Sequence, residues 1–291
     1  MLKDEDILDF GKWPLARLNK VPLPAVADAI ERGQVQGVFG QSDLPITAAL
    51  LQQLAALPAF PAVVLNGAGE SGLAMHTFEW VRGLRMLGLD EAPPAIDLNQ
   101  LPVLEALYCC LPAQVRLPQS APRLQTLHLR KYPHADCVPI AEVGAGLVDV
   151  SLIQAAKLTT LAGLEQLSGA RRLCLAYCPK LQDLSAIGAL VQLESLELQN
   201  LKQLPNLDFL APLQQLTALR LENCGELPSL AVLPRLPALK SLVLVNTRIV
   251  DADLRAVTGL PALEHFYIKP SRGYQPDAAA LNKRYTARGQ A

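Results

Sequence analysis

Aromatic side chains make up only 5% of this 291-residue chain, so its interior cannot be built around large rings. With 51% of residues hydrophobic, aliphatic side chains must fill that interior many times over, which points to stacked units. Charge of a single sign is also lacking. The 26 basic and 27 acidic residues leave a net charge of -1, which gives no global field to favour nucleic acid or an anionic membrane. No apolar run is long enough to span a bilayer. The first residues, MLKDEDILDF, put acids and a lysine where a secretory leader needs an unbroken apolar stretch, so a cytoplasmic location is expected. The six cysteines, Cys109, Cys110, Cys137, Cys174, Cys178 and Cys224, are dispersed, and a leucine-rich chain of this length needs no disulfide framework.

Leucine is what the chain has in excess, and it recurs with a period. The pattern L-x-x-L-x-L falls on Leu193, Leu196, Leu198, then Leu216, Leu219, Leu221, then Leu239, Leu242, Leu244, at a constant step of 23 residues. The same step backward reaches Ala170, Leu173, Leu175 and Leu147, Val150, Leu152, and a slightly longer step forward reaches Leu263, Phe266, Ile268. Leu124, Leu127, Leu129 come earlier, and steps of 20 then reach Leu104, Leu107, Cys109 and Leu84, Leu87, Leu89. Phe60, Val63, Leu65 and Val35, Val38, Gly40 continue the series with fewer matches, which makes nine units, or eleven with these two.

The L-x-L alternation suits a short strand with one buried face. Beyond each strand the apolar residues recur at every third position, as in Leu201, Leu204, Leu207, Leu210, Leu213. That spacing matches 3₁₀ or extended backbone, and Pro205, Pro212, Pro228, Pro234 and Pro237 would disrupt an α-helix there. A lone unit cannot bury its leucine stripe, so neighbouring units must stack and pair their strands in parallel.

The segments LESLELQNLKQLPNLDFL and LTALRLENCGELPSLAVL resemble leucine-rich repeats, and the period and proline-rich returns are similar to short, bacterial, internalin-like repeats. The resemblance implies an α/β-type repeat solenoid: a curved arc with a parallel sheet on its concave face and mainly 3₁₀ or extended convex segments. Asn200, Asn223 and Asn246 stand one place before the usual turn position, which Leu201, Cys224 and Thr247 fill. Three segments are expected. Residues 1–33 form an N-terminal helical cap, 34–270 the repeat domain with 84–270 matching the pattern most closely, and 271–291 a polar tail or small cap.

Few motifs suggest chemistry. AVVLNGAGESG places Gly67, Gly69 and Gly72 in G-x-G-x-x-G spacing after an apolar stretch, with Asp90 further on, as a dinucleotide-binding loop would. The repeat period that starts at Leu84 argues instead for a glycine-rich turn followed by a helix through MHTFEWVRGL. His134 and Cys137 have ligand-type side chains but lack the convergent partners of a zinc site, so neither a metal nor a cofactor is expected. Cys174 and His128 fall on the sheet face, two strands apart, too far for a nucleophile and its base.

The residues between the leucines should form columns on the concave face. Those expected to contact a partner are Tyr108, His128, Arg130, Arg172, Glu197, Gln199, Arg220, Glu222, His265, Tyr267 and Lys269. They interleave both charges with aromatic rings, a mixture suited to protein recognition. The family resemblance implies a non-catalytic protein-protein interaction module without nucleic-acid or membrane partners. One version is an intracellular inhibitor or immunity protein for a toxin or effector. The alternatives are an exported bacterial effector or host-interaction protein, and a nucleotide-binding enzyme using Gly67–Gly72.

Overall fold

A computed structural model of the chain describes residues 1–89, 95–111, 117–119 and 121–288. The chain divides into two compact units, Met1–Arg130 and Lys131–Ala291. Among the described residues, no helix is long and apolar enough to cross a membrane.

The first unit opens with a β-hairpin. Strands β1 (Ile7–Phe10) and β2 (Trp13–Arg17) pair antiparallel, with Phe10 opposite Trp13 across a Gly11-Lys12 loop. Gly11 has φ 64, the sign of backbone that such a two-residue loop requires. Helix α1 (Leu23–Glu31) follows, with Pro22 at its N-cap and Val26 and Ala29 buried. From β2 onward all pairing in this unit is parallel, through β3 (Gly37–Gly40), β4 (Ala62–Leu65), β5 (Met86–Leu89), β6 (Ala106–Cys110) and β7 (Thr126–Arg130). The two units with the weakest sequence match therefore form strands β3 and β4 in register with their neighbours.

Three expectations for this unit change. Within 1–33 the α-helix is confined to α1, after a 3₁₀ turn at Asp4–Asp6 and the two strands, where alternation buries Trp13 and Leu15 on one sheet face. The return from β3 to β4 is a true helix, α2 (Ala48–Ala55), with Leu50, Leu51 and Leu54 buried at helical spacing. Its N-cap is Thr47, whose side chain accepts from the Leu50 amide at 3.1 Å. The MHTFEWVRGL segment is not an α-helix but two 3₁₀ turns, Met75–Thr77 and Glu79–Gly83.

The second unit repeats more strictly. Strands β8 (Asp149–Ile153), β9 (Arg172–Ala176), β10 (Ser195–Gln199), β11 (Ala218–Leu227), β12 (Ser241–Ile249) and β13 (His265–Ile268) pair in parallel, each with the next. A register shift between Glu222 and Gly225 lets β11 and β12 pair a second time, through Gly225–Thr247 to Leu227–Ile249. The every-third-residue leucines are buried on the return path, as with Leu204, Leu207, Leu210 and Leu213, all at 4% exposure or less. Each such side chain contributes roughly 1.5–3 kcal/mol of transfer free energy. Most returns carry 3₁₀ turns, at Leu164–Gln166, Ser185–Ala189, Asp208–Leu210 and Leu233–Arg235. Short α-helices occur at α3 (Val138–Val143) and α4 (Arg255–Thr258).

Two ladders not singled out from the leucine period hold these turns. Lys131, Gln154, Tyr177, Asn200, Asn223 and Asn246, one per repeat, all have φ between 48 and 58. The asparagines thus serve as left-handed exits from the strands, which suits their side chain. A second ladder opens the return path, where the side chains of Asp136, Thr160, Asp183, Asn206, Ser229 and Asp253 each accept from the backbone amide two residues on.

The chain's last described element, α5 (Ala278–Arg288), covers the exposed edge of β13. Asn282 brackets Ile268, accepting from its amide at 3.0 Å and donating to its carbonyl at 2.7 Å. Tyr285 is buried in edge-on contact with Phe266, 6.2 Å between ring centres. The helix thus occupies the end of the edge strand at Ile268, which removes one amide and one carbonyl from the ladder that another chain could extend.

Candidate functional site

The buried turn position explains two of the six cysteines. Cys178 and Cys224 sit where Leu201 and Thr247 sit in neighbouring repeats, and their thiols reach backbone carbonyls: Cys178 reaches Ala176 O at 3.5 Å, and Cys224 reaches Leu198 O at 3.3 Å. Thr247 does the same with its hydroxyl, toward Val245 O at 3.2 Å. Burial pushes the thiol pKa of Cys178 up to about 11 and those of Cys109 and Cys137 to about 12. Cys137 lies at the start of α3, and the neighbouring Asp136 carboxylate accepts from the Val138 amide, so His134 to Cys137 builds a helix entry.

Cys174, half-buried on the sheet face, is also pushed up to about 11 by burial. A thiol in that state is almost wholly protonated near neutral pH and is a poor nucleophile. Alkylation of Cys174 by iodoacetamide at pH 7.5 is expected to run more than about tenfold slower than that of free cysteine, and to accelerate with pH up to about 11. Rapid labelling at pH 7.5, located by peptide mapping, would show an activated thiolate instead.

The glycine motif is built for close packing. A Cβ on Gly67 would lie 1.7 Å from the Leu44 carbonyl oxygen, and Gly69 bridges in parallel to Ile46. The backbone after Gly72 enters 3₁₀ turns, so the motif does not open into the α-helix that a pyrophosphate-binding loop requires, and the helix end that does lie beside it, that of α2, is taken by Glu70, whose carboxylate accepts from the Ala48 amide at 3.0 Å. Asp90, the expected ribose partner, lies outside the described residues.

On the sheet face of the first unit, the N-terminal hairpin packs over part of the surface and reaches Tyr108, one of the residues expected to contact a partner. Trp13 and Leu15 pack with Ala62, Val64, Met86 and Ala106, and Trp13 is only 3% exposed. Phe10 meets Tyr108 edge-on at 5.0 Å, and Tyr108 meets His128 at 4.8 Å. Lys12 pairs with Glu105 at 3.1 Å, and Lys12 and Arg85 both stand over the Trp13 ring. The Arg85 guanidinium, 2.7 Å away, holds the Glu105 carboxyl below the usual carboxylate range. Tyr108 on β6 is therefore half-covered by the chain itself, and His128 and Arg130 follow on β7, with His128 directly opposite Tyr108. The leucine pattern did not reveal this hairpin, although Gly-Lys between Phe10 and Trp13, flanked by alternating apolar residues, is a recognisable two-residue loop signal.

The second unit's face carries the rest of the predicted residues. Strand pairing places Ser151, Cys174, Glu197, Arg220, Val243 and Tyr267 side by side in one column, as the spacing implies. Arg172 pairs with Asp149 at 2.8 Å, and Arg220 lies between Glu197 at 3.1 Å and Glu222 at 2.6 Å. Gln199 donates to Glu197 at 2.6 Å. These contacts fix the long side chains against their neighbours on adjacent strands. Each pair adds only about 0.2–1 kcal/mol to stability because it is exposed. Tyr267 is 42% exposed, and His265 is exposed beside it with Lys269 just beyond β13.

No protein-family model matches this chain, and no curated protein does either. Among solved structures, it is similar to an internalin (inlF) from Listeria monocytogenes, with a TM-score of 0.51 at 18% identity over 81% of this chain and 74% of that one. A leucine-rich-repeat protein from Leptospira interrogans gives a TM-score of 0.47 at 16% identity, over 84% and 69% of the two chains. The fold is a leucine-rich-repeat solenoid similar to that of internalins.

Proposed function

We propose that this chain is a non-catalytic protein-binding module that contacts its partner through the sheet face of the second unit. The observation that carries this reading is the set of paired charges on β8 to β11, with the exposed Tyr267 ring on β13 and Arg172, Arg220 and Tyr267 as anchors. Side chains already oriented by their neighbours lose little conformational freedom on binding, and Arg and Tyr dominate the energetics of protein interfaces. The buried thiols and the close-packed glycine loop support a binding role over a catalytic one. Within this reading, a face built of short strands in unbroken parallel register suits an inhibitor or immunity protein that covers the active surface of a toxin or effector enzyme in the cytoplasm.

The test begins with affinity capture and mass spectrometry to identify the partner, followed by titration of purified components. Arg172→Glu combined with Arg220→Glu is expected to weaken the complex about a hundredfold or more, equivalent to about 2.7 kcal/mol. The same variant should keep its far-UV spectrum, and Tyr267→Ala should weaken binding independently. Unchanged affinity in the folded double variant would remove the sheet-face assignment.

A further inference from the structure

The face is not the only surface of the second unit with binding chemistry. Where β8, β9 and β10 leave the sheet, three successive turns frame a groove of about 570 Å³ lined by Gln154, Ala156, Tyr177, Pro179, Asn200, Lys202 and Gln203. This flank differs from the face in both charge and backbone.

The turns spanning 154–157, 177–180 and 200–203 read QAAK, YCPK and NLKQ, with three lysines and no acid. Lys157, Lys180 and Lys202 are exposed, and among the described residues no ion pair or hydrogen bond engages their side chains. The arginines of the face, by contrast, are matched to acids on adjacent strands. In a chain with a net charge of -1, this is a local, uncompensated positive edge.

Tyr177 provides the second observation. It stands in the left-handed column at φ 56 and is 51% exposed, whereas Asn200, Asn223 and Asn246 hold the equivalent place in the following repeats. Asparagine adopts this backbone readily, and a tyrosine does not. The position thus presents an aromatic ring to solvent on a backbone that the three following repeats give to asparagine and the two preceding ones to Gln154 and Lys131, so among the described residues Tyr177 is the one ring in this column, and strain of this kind marks sites of contact. Gln154 and Asn200 set amide side chains on either side of the ring, and Ala156 and Pro179 supply an apolar floor.

We propose that this groove docks an extended acidic segment of a partner protein. Its carboxylates meet Lys202 in the groove and Lys157 and Lys180 on the same turns, its backbone meets the groove's amide side chains, and one apolar side chain lies on the Tyr177 ring. The lining combines an apolar floor with amides and has no arginine fork, which favours a carboxylate-bearing peptide over a phosphate-bearing ligand. This site is separate from the sheet face and stands or falls independently of it.

The test uses the full chain and a fluorescein-labelled Glu-Glu-Phe-Glu-Glu peptide at low salt, with Lys-Lys-Phe-Lys-Lys as the opposite charge, read by anisotropy. The acidic peptide should bind and the basic one should not. Changing Lys157, Lys180 and Lys202 together to Glu should weaken binding by about tenfold or more, and Tyr177→Asn should weaken it about fivefold. Tyr177→Asn introduces the residue that the next repeat uses, so its melting temperature should not fall and a loss of binding cannot be blamed on unfolding. The Arg172→Glu, Arg220→Glu double variant should bind the peptide within about twofold of the unmodified chain, which separates this groove from the face. Retained affinity in the triple lysine variant would overturn the proposal. So would equal binding of the two peptides, or tighter binding of phosphatidylserine vesicles or single-stranded DNA than of the acidic peptide.

Discussion

Trp13→Ala is expected to lower the stability of the first unit by about 3–5 kcal/mol, the usual cost of deleting a buried large ring. Its indole is 3% exposed and packs with Leu15, Ala62, Val64, Met86 and Ala106, so truncation removes apolar burial and leaves a void that backbone strands cannot close. Two cations also lose their ring, since Lys12 and Arg85 stand 4.9 Å and 5.3 Å from its centre. Urea unfolding followed by far-UV dichroism would measure the change. Trp13→Phe is expected to recover more than half of the loss, because it restores most of the apolar contact. A change below about 1 kcal/mol for Trp13→Ala would mean that the hairpin does not pack on the sheet face in solution.

The glycine motif gives the second large effect and a ranking that distinguishes its two readings. Gly67→Ala places a Cβ 1.7 Å from the Leu44 carbonyl oxygen, a backbone atom that cannot rotate away, and is expected to cost about 3 kcal/mol or more. Gly72→Ala meets open space and suffers only from its φ of 78, so about 1 kcal/mol is expected. A dinucleotide loop would instead make the native protein respond to ligand. Differential scanning fluorimetry with nicotinamide and adenine nucleotides should show no shift in melting temperature. A nucleotide-dependent rise, or Gly72→Ala proving the costlier change, would return the loop to a binding role.

The repeat register was readable because burial imposes it. Leu193, Leu216 and Leu239 recur at one step, and a one-residue slip would turn every leucine of the strand outward, so spacing alone orders the columns that pair Glu197 with Arg220. The every-third-residue returns were readable for the same reason, since proline and period together exclude an α-helix at Leu204 to Leu213. The rule fails at Ala48–Ala55, where a proline-free stretch with a threonine cap closes a helix. Tyr177 was hidden differently. It fills the place of an asparagine in the period, but only backbone angles reveal that this place is left-handed and that a ring there is strained.

The order of leucines along the chain was enough to specify a stacked parallel sheet, its register and the residues on its face, because each follows from burying one side of a short strand. Which parts of that face stay open depended on contacts between residues far apart in sequence. Phe10 and Tyr108 are 98 positions apart, yet their rings meet at 5.0 Å, so the hairpin claims part of the first unit's sheet. Arg172, Arg220 and Tyr267 in the second unit remain exposed on theirs. Periodicity records which way a side chain points, and only the folded chain records what comes to lie against it.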